Sequence, residues 1–398
     1  MDRSIMHALN KRNVISIIRE SGQINKAEIA RTIGLSIPTV MKITDELIDR
    51  EIVRDSGKGL SSGGKPPQML EFAADNYFII GVDIGTTNIN CIMMDLAARI
   101  IYQQVVPTGV TDGFTVIINR IIKVIDRVIA SATAEQQQRI LGIGLGMPGL
   151  IDPATGKVLF SPDFKWEMID LLPPVQAAFR YPVLIDNVTR VMAIGQRYFG
   201  FSQHDVDSFI CVNLGHGIGS ALFLDGRLYS GSSGSSGELG HMTIVQDGPL
   251  CVCGKHGCLE ALASGNAILN QAKQQFQMEH VTEAKDVFVA WEAGDERAKT
   301  IITTAAQHIG TALALMINLL DPQIIILEGG LSRAGETFLQ LIIKTAEQQQ
   351  MKYAGRATKI VVSTLAENSA AIGAATIILD RFIQFGGDKD SLTDVYGE

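Results

Sequence analysis

Between Glu238 and Glu260 the chain reads ELGHMTIVQDGPLCVCGKHGCLE, and four of these residues are metal-type donors: His241, Cys251, Cys253 and Cys258. Thiolate and imidazole are the ligands that a soft divalent ion takes, and a closed zinc site takes four of them in a tetrahedron. A His followed by C-x-C-x4-C supplies that number with nothing left over. Gly254 and Gly257 let the backbone turn tightly between the cysteines. The other reading of the same residues is a reduced, metal-free cysteine loop. Glu238 and Glu260 bracket the cluster, are not needed by a four-ligand site, and are therefore available for a different ligand.

These residues sit in a chain that changes to alternating strands and helices at Tyr77. YFIIGVDIGTTNINCIMMDL reads as strand, glycine turn, strand, and so does FICVNLGHGIGSALFLDGRLY. The two superpose at a constant offset: Val82 on Val212, Asp83 on Asn213, Ile84 on Leu214, Gly85 on Gly215 and Asp95 on Asp225. Such self-similarity marks an internal repeat, one hairpin in each of two lobes. Glycine turns let backbone N–H groups approach an anion closely. This marks Asp83, Gly85 and Thr86 in the first turn, and Gly215 and Gly217 in the second. RILGIGLGMPGLID predicts a buried strand ending at Pro148–Gly149, PVLIDNVTRVMAIGQRYFG a strand, turn and helix, and ENSAAIGAATIILDRF a closing helix. Trp166, alone in its stretch, reads as a pocket-side or a core residue.

Ahead of this body, residues 10–53 read as three helices. Ser36 is placed to N-cap the third, with Pro38 in its first turn. Ala30, Gly34 and Val40 have helix-turn-helix spacing, which puts Ser36, Thr39 and Lys42 on a face able to enter a major groove. VRDSGKGLSSGGKPPQMLEF then reads as a hairpin wing whose Lys58 and Lys65 reach phosphates or the minor groove. A helical protein-interaction module followed by a linker is the alternative. Charge favours DNA: residues 1–72 hold 11 basic and 9 acidic side chains, whereas the remainder holds 23 and 33. With a net charge of −8, nonspecific nucleic-acid binding by the body is excluded, and DNA contact is confined to the N-terminal segment. Five cysteines, three of them in the knuckle, suit a reducing cytoplasm. No apolar signal core opens the sequence, and no apolar run approaches the ~20 residues of a membrane span.

E-x-G-H followed by C-x-C-G-x-x-G-C-x-E resembles the zinc signature of the ROK family, which contains sugar kinases and sugar-responsive repressors. The likeness to its NagC/XylR-type repressors extends over nearly the whole chain. It implies an α/β fold: an N-terminal winged helix-turn-helix, then a two-lobed actin-like body. Its expected divisions are residues 1–75, 76–190 with 365–398, and 191–364. It implies that Asn187, Glu238, Glu260 and the zinc ligand His241 contact a hexose. The chemistry agrees, since a carboxylate accepts hydrogen bonds from vicinal hydroxyls and a neighbouring metal holds it in place.

In kinases of that family the strand end LIDNVTR reads Asn-Asp, and the Asp is the base that deprotonates the attacking hydroxyl. Here Val188 stands in that position, and valine cannot accept a proton. Asp186 points to the other side of an extended chain. His216 replaces a small hydroxyl residue in the second phosphate turn, which makes that site vestigial. The expectation is a cytoplasmic sugar- or sugar-phosphate-responsive repressor, not an enzyme. It would hold Zn²⁺, bind operator DNA as a homodimer or homotetramer, and not insert in membranes. The alternative is an ATP-dependent hexose kinase with a DNA-binding appendage.

Overall fold

The computed structural model describes residues 3–60, 66–152, 155–200, 206–355 and 357–392. Helix α1 (Arg3–Ser21) leads into strand β1 (Gln23–Asn25), α2 (Lys26–Ile33), α3 (Ile37–Asp49), β2 (Val53–Lys58) and β3 (Gln68–Phe72). The three strands form one antiparallel sheet ordered β1-β3-β2, and β2–β3 are the wing. α1 starts earlier than its apolar pattern predicts. Met6 and Leu9 in its first turns are exposed. What ties that end down is Glu46 of α3, which meets His7 at 3.1 Å and Lys11 at 2.5 Å. Asn25 and Glu28 form a capping box on α2, and Gly34 closes that helix in the left-handed conformation, φ 69°.

The body holds two five-stranded sheets. The first contains β4 (Phe78–Ile84), β5 (Asn88–Asp95), β6 (Ile100–Pro107), β7 (Ile140–Met147) and, after three short strands β8 (Leu150–Ile151), β9 (Val158–Ser161) and β10 (Trp166–Ile169), β11 (Val183–Asn187). The second contains β12 (Phe209–Leu214), β13 (Ile218–Leu224), β14 (Arg227–Tyr229), β15 (Ile324–Glu328) and β16 (Lys359–Val362). Their orders are β11-β7-β4-β5-β6 and β16-β15-β12-β13-β14. In each, one antiparallel hairpin pairs in parallel with the strand beside it. The hairpin repeat read from the sequence is therefore the centre of two sheets with the same strand order.

Helices α4 (Phe114–Ser131), α5 (Ala134–Gln138), α6 (Leu172–Ala178) and α7 (Val188–Gly195) accompany the first sheet. Helices α8 (Leu259–Ala263), α9 (Gly265–Gln274), α10 (Ala284–Glu292), α11 (Glu296–Leu320) and α12 (Glu336–Gln349) accompany the second. α11 is long and apolar enough to cross a membrane by composition, yet 61% of its apolar window is buried inside the protein, where it packs on α12. The closing helix α13 (Ser369–Gln384) returns to lie on β4, β7 and α7. Gly81 and Gly144 allow that approach, since a Cβ there would meet the α13 carbonyls of Ala371 and Ala374. The far end of α13 shares one core with the winged helix: Leu379, Phe382 and Ile383 lie with Val14, Ile15, Ile18 and Ile52. Trp166 is 5% exposed and packs edge-on to Phe114, so it is a core residue.

Candidate metal centre and ligand pocket

The four predicted metal ligands come together. One donor atom from each of His241, Cys251, Cys253 and Cys258 lies within 4.8 Å of all the others. Cys251 Sγ is 3.6 Å from His241 Nδ1, and Cys253 Sγ is 3.7 Å from Cys258 Sγ. Metal–sulfur bonds of about 2.3 Å put tetrahedral sulfurs about 3.8 Å apart, so the set fits a zinc-sized ion. The loop is built for this approach. Gly257 has φ 71° and lies so close to Val245 that a Cβ would collide with its carbonyl oxygen. Burial pushes the Cys251 thiol up to about 12, so it is a proton-bearing group unless a cation takes the proton's place.

His241 turns Nδ1 toward Cys251 Sγ, while its Nε2 is 3.9 Å from Glu238 Oε2. That places the metal loop against a cavity of about 400 Å³ whose lining includes Asn187, Val188, Glu238, His241 and Glu260. Glu260 Oε2 accepts a hydrogen bond of 2.9 Å from Ile218 N–H, and burial raises its pKa. Gly217 is needed beside it, because a Cβ would stand 2.5 Å from the same oxygen. Asn187 is in the wall, but its Oδ1 caps α7 by accepting from Thr189 N–H and Arg190 N–H, and its Nδ2 donates to Gly149 O. Its capacity for a ligand is thus limited to one amide hydrogen. The same cap sets α7 with Val188, its first residue, facing the pocket. Asp186 is turned away and held by Arg190 Nε at 2.9 Å.

Sequence reasoning missed Asp163, Asn213, Ser235 and Lys255, all in the pocket wall. Asn213 alone had a signal, since the repeat aligns it with Asp83. Asp83 lies near the end of β4, Gly85 and Thr86 lie in the turn between β4 and β5, and Gly215 and Gly217 lie in the turn between β12 and β13. Asp83 carries a pKa raised to about 7 by burial. His216 Nε2 is 3.1 Å from Thr87 Oγ1, so the two turns touch through side chains.

On the winged helix, Ser36 N-caps α3, and its Oγ is 2.8 Å from Thr39 Oγ1. Lys42 and Lys58 are exposed. Lys65 lies outside the described residues. Ile37 and Met41 are exposed apolar side chains on α3. α3 thus offers a cap hydroxyl, a cation and two apolar groups of the kind that contact thymine methyls.

Two body lobes with matching hairpins, a Cys3His loop beside the pocket and a fused winged helix define the class: the chain belongs to the ROK family, whose pattern it matches over residues 79–381. Residues 9–54 match a winged helix-turn-helix DNA-binding family. It is 29% identical to the xylose repressor of Caldicellulosiruptor bescii, covering 96% of this chain and 98% of that protein. It is also 29% identical to the DNA-binding transcriptional dual regulator NagC of Escherichia coli, covering 94% and 93%. Among solved structures, a ROK family transcriptional regulator, a homologue of E. coli MLC, superposes with TM-score 0.82 at 25% identity over 98% of this chain and all of the other. A ROK glucokinase from Streptomyces griseus, in complex with glucose and AMPPNP, superposes with TM-score 0.67 at 29% identity over 75% of this chain and 98% of its own.

Proposed function

We propose that this protein is a sequence-specific DNA-binding repressor of carbohydrate metabolism whose ROK body binds a sugar or sugar phosphate without phosphorylating it. The observation that carries the reading is Val188. It faces the pocket where the family's kinases need a base, and the neighbouring Asp186 is locked to Arg190. Full-length likeness to proteins named as xylose and N-acetylglucosamine repressors supports the regulatory half. Glu238, Glu260, His241 and the remaining amide hydrogen of Asn187 would hold sugar hydroxyls. His241 Nδ1 and the three thiolates would hold Zn²⁺, which fixes the loop and supplies no reaction step.

Ser36, Thr39, Lys42, Lys58 and Lys65 would contact operator DNA. A winged helix reads one half-site, so a two-fold homodimer, or a tetramer of two, would read both halves of a palindrome. Five cysteines without disulfides among the described residues suit a cytoplasmic setting. We place the divisions at 1–75, 76–190 with 365–398, and 191–364. The repeated sheets support the second break, and the return of α13 to the first sheet supports the discontinuous unit.

The test is selection of DNA from a random pool by the full-length protein, followed by titration of the selected duplex with a hexose and hexose-phosphate panel. A recovered motif whose affinity shifts with one sugar supports the reading. Recovery of no motif, with steady ADP release on a hexose, would establish the kinase instead.

A further inference from the structure

A second cavity, of about 470 Å³, opens beside the ligand pocket, and Asp163, Gly217 and Glu260 line both. One of its walls is α9, where Asn266, Asn270 and Gln274 recur every fourth residue and so stand in a row on one helix face. All three are exposed, and none of their side chains bonds to another described residue. Thr304 and His308 of α11 face the same space. Pro249, Leu250 and Val252 of the metal loop contribute aliphatic surface, and Leu250 and Val252 are 66% and 63% exposed.

The chemistry of this lining selects its ligand. A carboxamide presents a donor and an acceptor side by side, which matches a pair of adjacent hydroxyls. Aliphatic surface takes the C–H face of a sugar ring. Among the described residues no lysine or arginine lines the cavity, whereas Asp163, Glu260 and the imidazoles of His216 and His308 do. A polyphosphate there would meet the like charge of two carboxylates and no lysine or arginine to offset it. A neutral polyol has none of that penalty. Because the two cavities share Glu260 and Asp163, a ligand continuous through both would place its inter-ring linkage beside those carboxylates.

We propose that the α9 cavity is a second saccharide subsite, so that the effector is a di- or oligosaccharide whose terminal ring occupies the pocket at Glu238 and whose next ring lies against the amide row. This rests on the sugar reading of the first pocket, and the experiment separates the two. Isothermal titration of the full-length protein would compare glucose with maltose and cellobiose, xylose with xylobiose, and N-acetylglucosamine with chitobiose, and would include MgATP. One disaccharide should bind at least about tenfold more tightly than its own monomer. An Asn270→Ala, Gln274→Ala double variant should lose that increment and leave the monosaccharide Kd unchanged. Monosaccharide binding with no disaccharide gaining over its monomer overturns the second subsite and leaves the sugar reading standing. Binding of no saccharide, single or double, overturns both. MgATP binding that the double variant abolishes assigns the cavity to a nucleotide and also overturns the proposal.

Discussion

Thr87 and His216 meet across the interlobe cleft, Oγ1 to Nε2, at 3.1 Å. They occupy equivalent turns of the two repeated hairpins, and those turns would both have to face a nucleotide's phosphates for phosphoryl transfer. Here an imidazole stands between them and joins the lobes directly. The lobes are thus bridged by the chain's own side chains.

On the proposed reading two features oppose catalysis: Val188 where the family's kinases carry a base, and His216 in the second glycine turn, bonded to Thr87. Removal of a general base alone costs about 10²–10⁴ in rate. With hexoses and MgATP, a coupled ADP-release assay should therefore stay far below the roughly 1–100 s⁻¹ of working kinases. Val188→Asp should not restore turnover while His216 remains. Turnover of about 1 s⁻¹ by the unmodified protein would sink the non-enzymatic reading.

The metal centre makes a separate prediction. Protein purified without added zinc should carry close to one equivalent by elemental analysis, and Cys253→Ser should carry much less. Burial holds the Cys251 thiol at about 12, so metal uptake by the stripped protein must expel thiol protons. Zinc affinity should fall as pH is lowered, and reloading in weak buffer should acidify the solution. A serine variant with full metal content would refute the ligand set.

The parts of this architecture that could be read in advance rest on local signals. Cysteine spacing marked the His241/Cys251/Cys253/Cys258 cluster, and two glycine turns with matching flanks marked the repeated hairpins. Ser36 announced its helix because a cap acts over three residues. What could not be read depends on long-range packing. Nothing near Ile15 says that it will share a core with Phe382. Nothing near Asp163 or Lys255 marks them as pocket walls. Asn187 lines the cavity, but its side-chain oxygen is taken by the α7 backbone, a competition visible only once the helix start is known.

For the winged helix, Lys42→Ala and Lys58→Ala should each weaken binding to specific and nonspecific duplexes alike. Each lost phosphate contact should reduce the slope of log K against log salt by about 0.9. Anisotropy titrations between 50 and 200 mM salt measure this. Unchanged slopes for both variants would move the DNA-binding face away from α3 and the wing.

Asp83 gives a pH signature. Its pKa is raised to about 7 by burial alone, from an ordinary value near 3.8. Between those two values the folded chain keeps the proton while the unfolded chain has released it, so stability declines as pH rises across that window and levels off above it. Asp83→Asn removes the titration. Its stabilising effect should be small at pH 5, larger at pH 6 and largest at and above pH 7.5, read from urea midpoints. A pH-independent difference would show that Asp83 is ionised in the folded protein throughout.

Sugar binding should fail first at Glu238. Its carboxylate stands in the pocket wall beside His241, one of the four proposed metal ligands. Each sugar hydroxyl left without a partner on binding costs about 1–3 kcal/mol, which converts to roughly a ten- to a hundredfold loss of affinity. Glu238→Ala should weaken the effector's action on DNA binding by that factor while leaving DNA affinity without effector unchanged. Glu260 predicts the pH limb of the same curve: burial raises its pKa, and the protonated acid is a poorer acceptor, so effector affinity should fall on acidification before the fold is lost. Titrating the effector response of Glu238→Ala and of the unmodified protein from pH 8 to pH 5 checks the two statements together. A Glu238→Ala protein with an unaltered response would remove this carboxylate from the effector site.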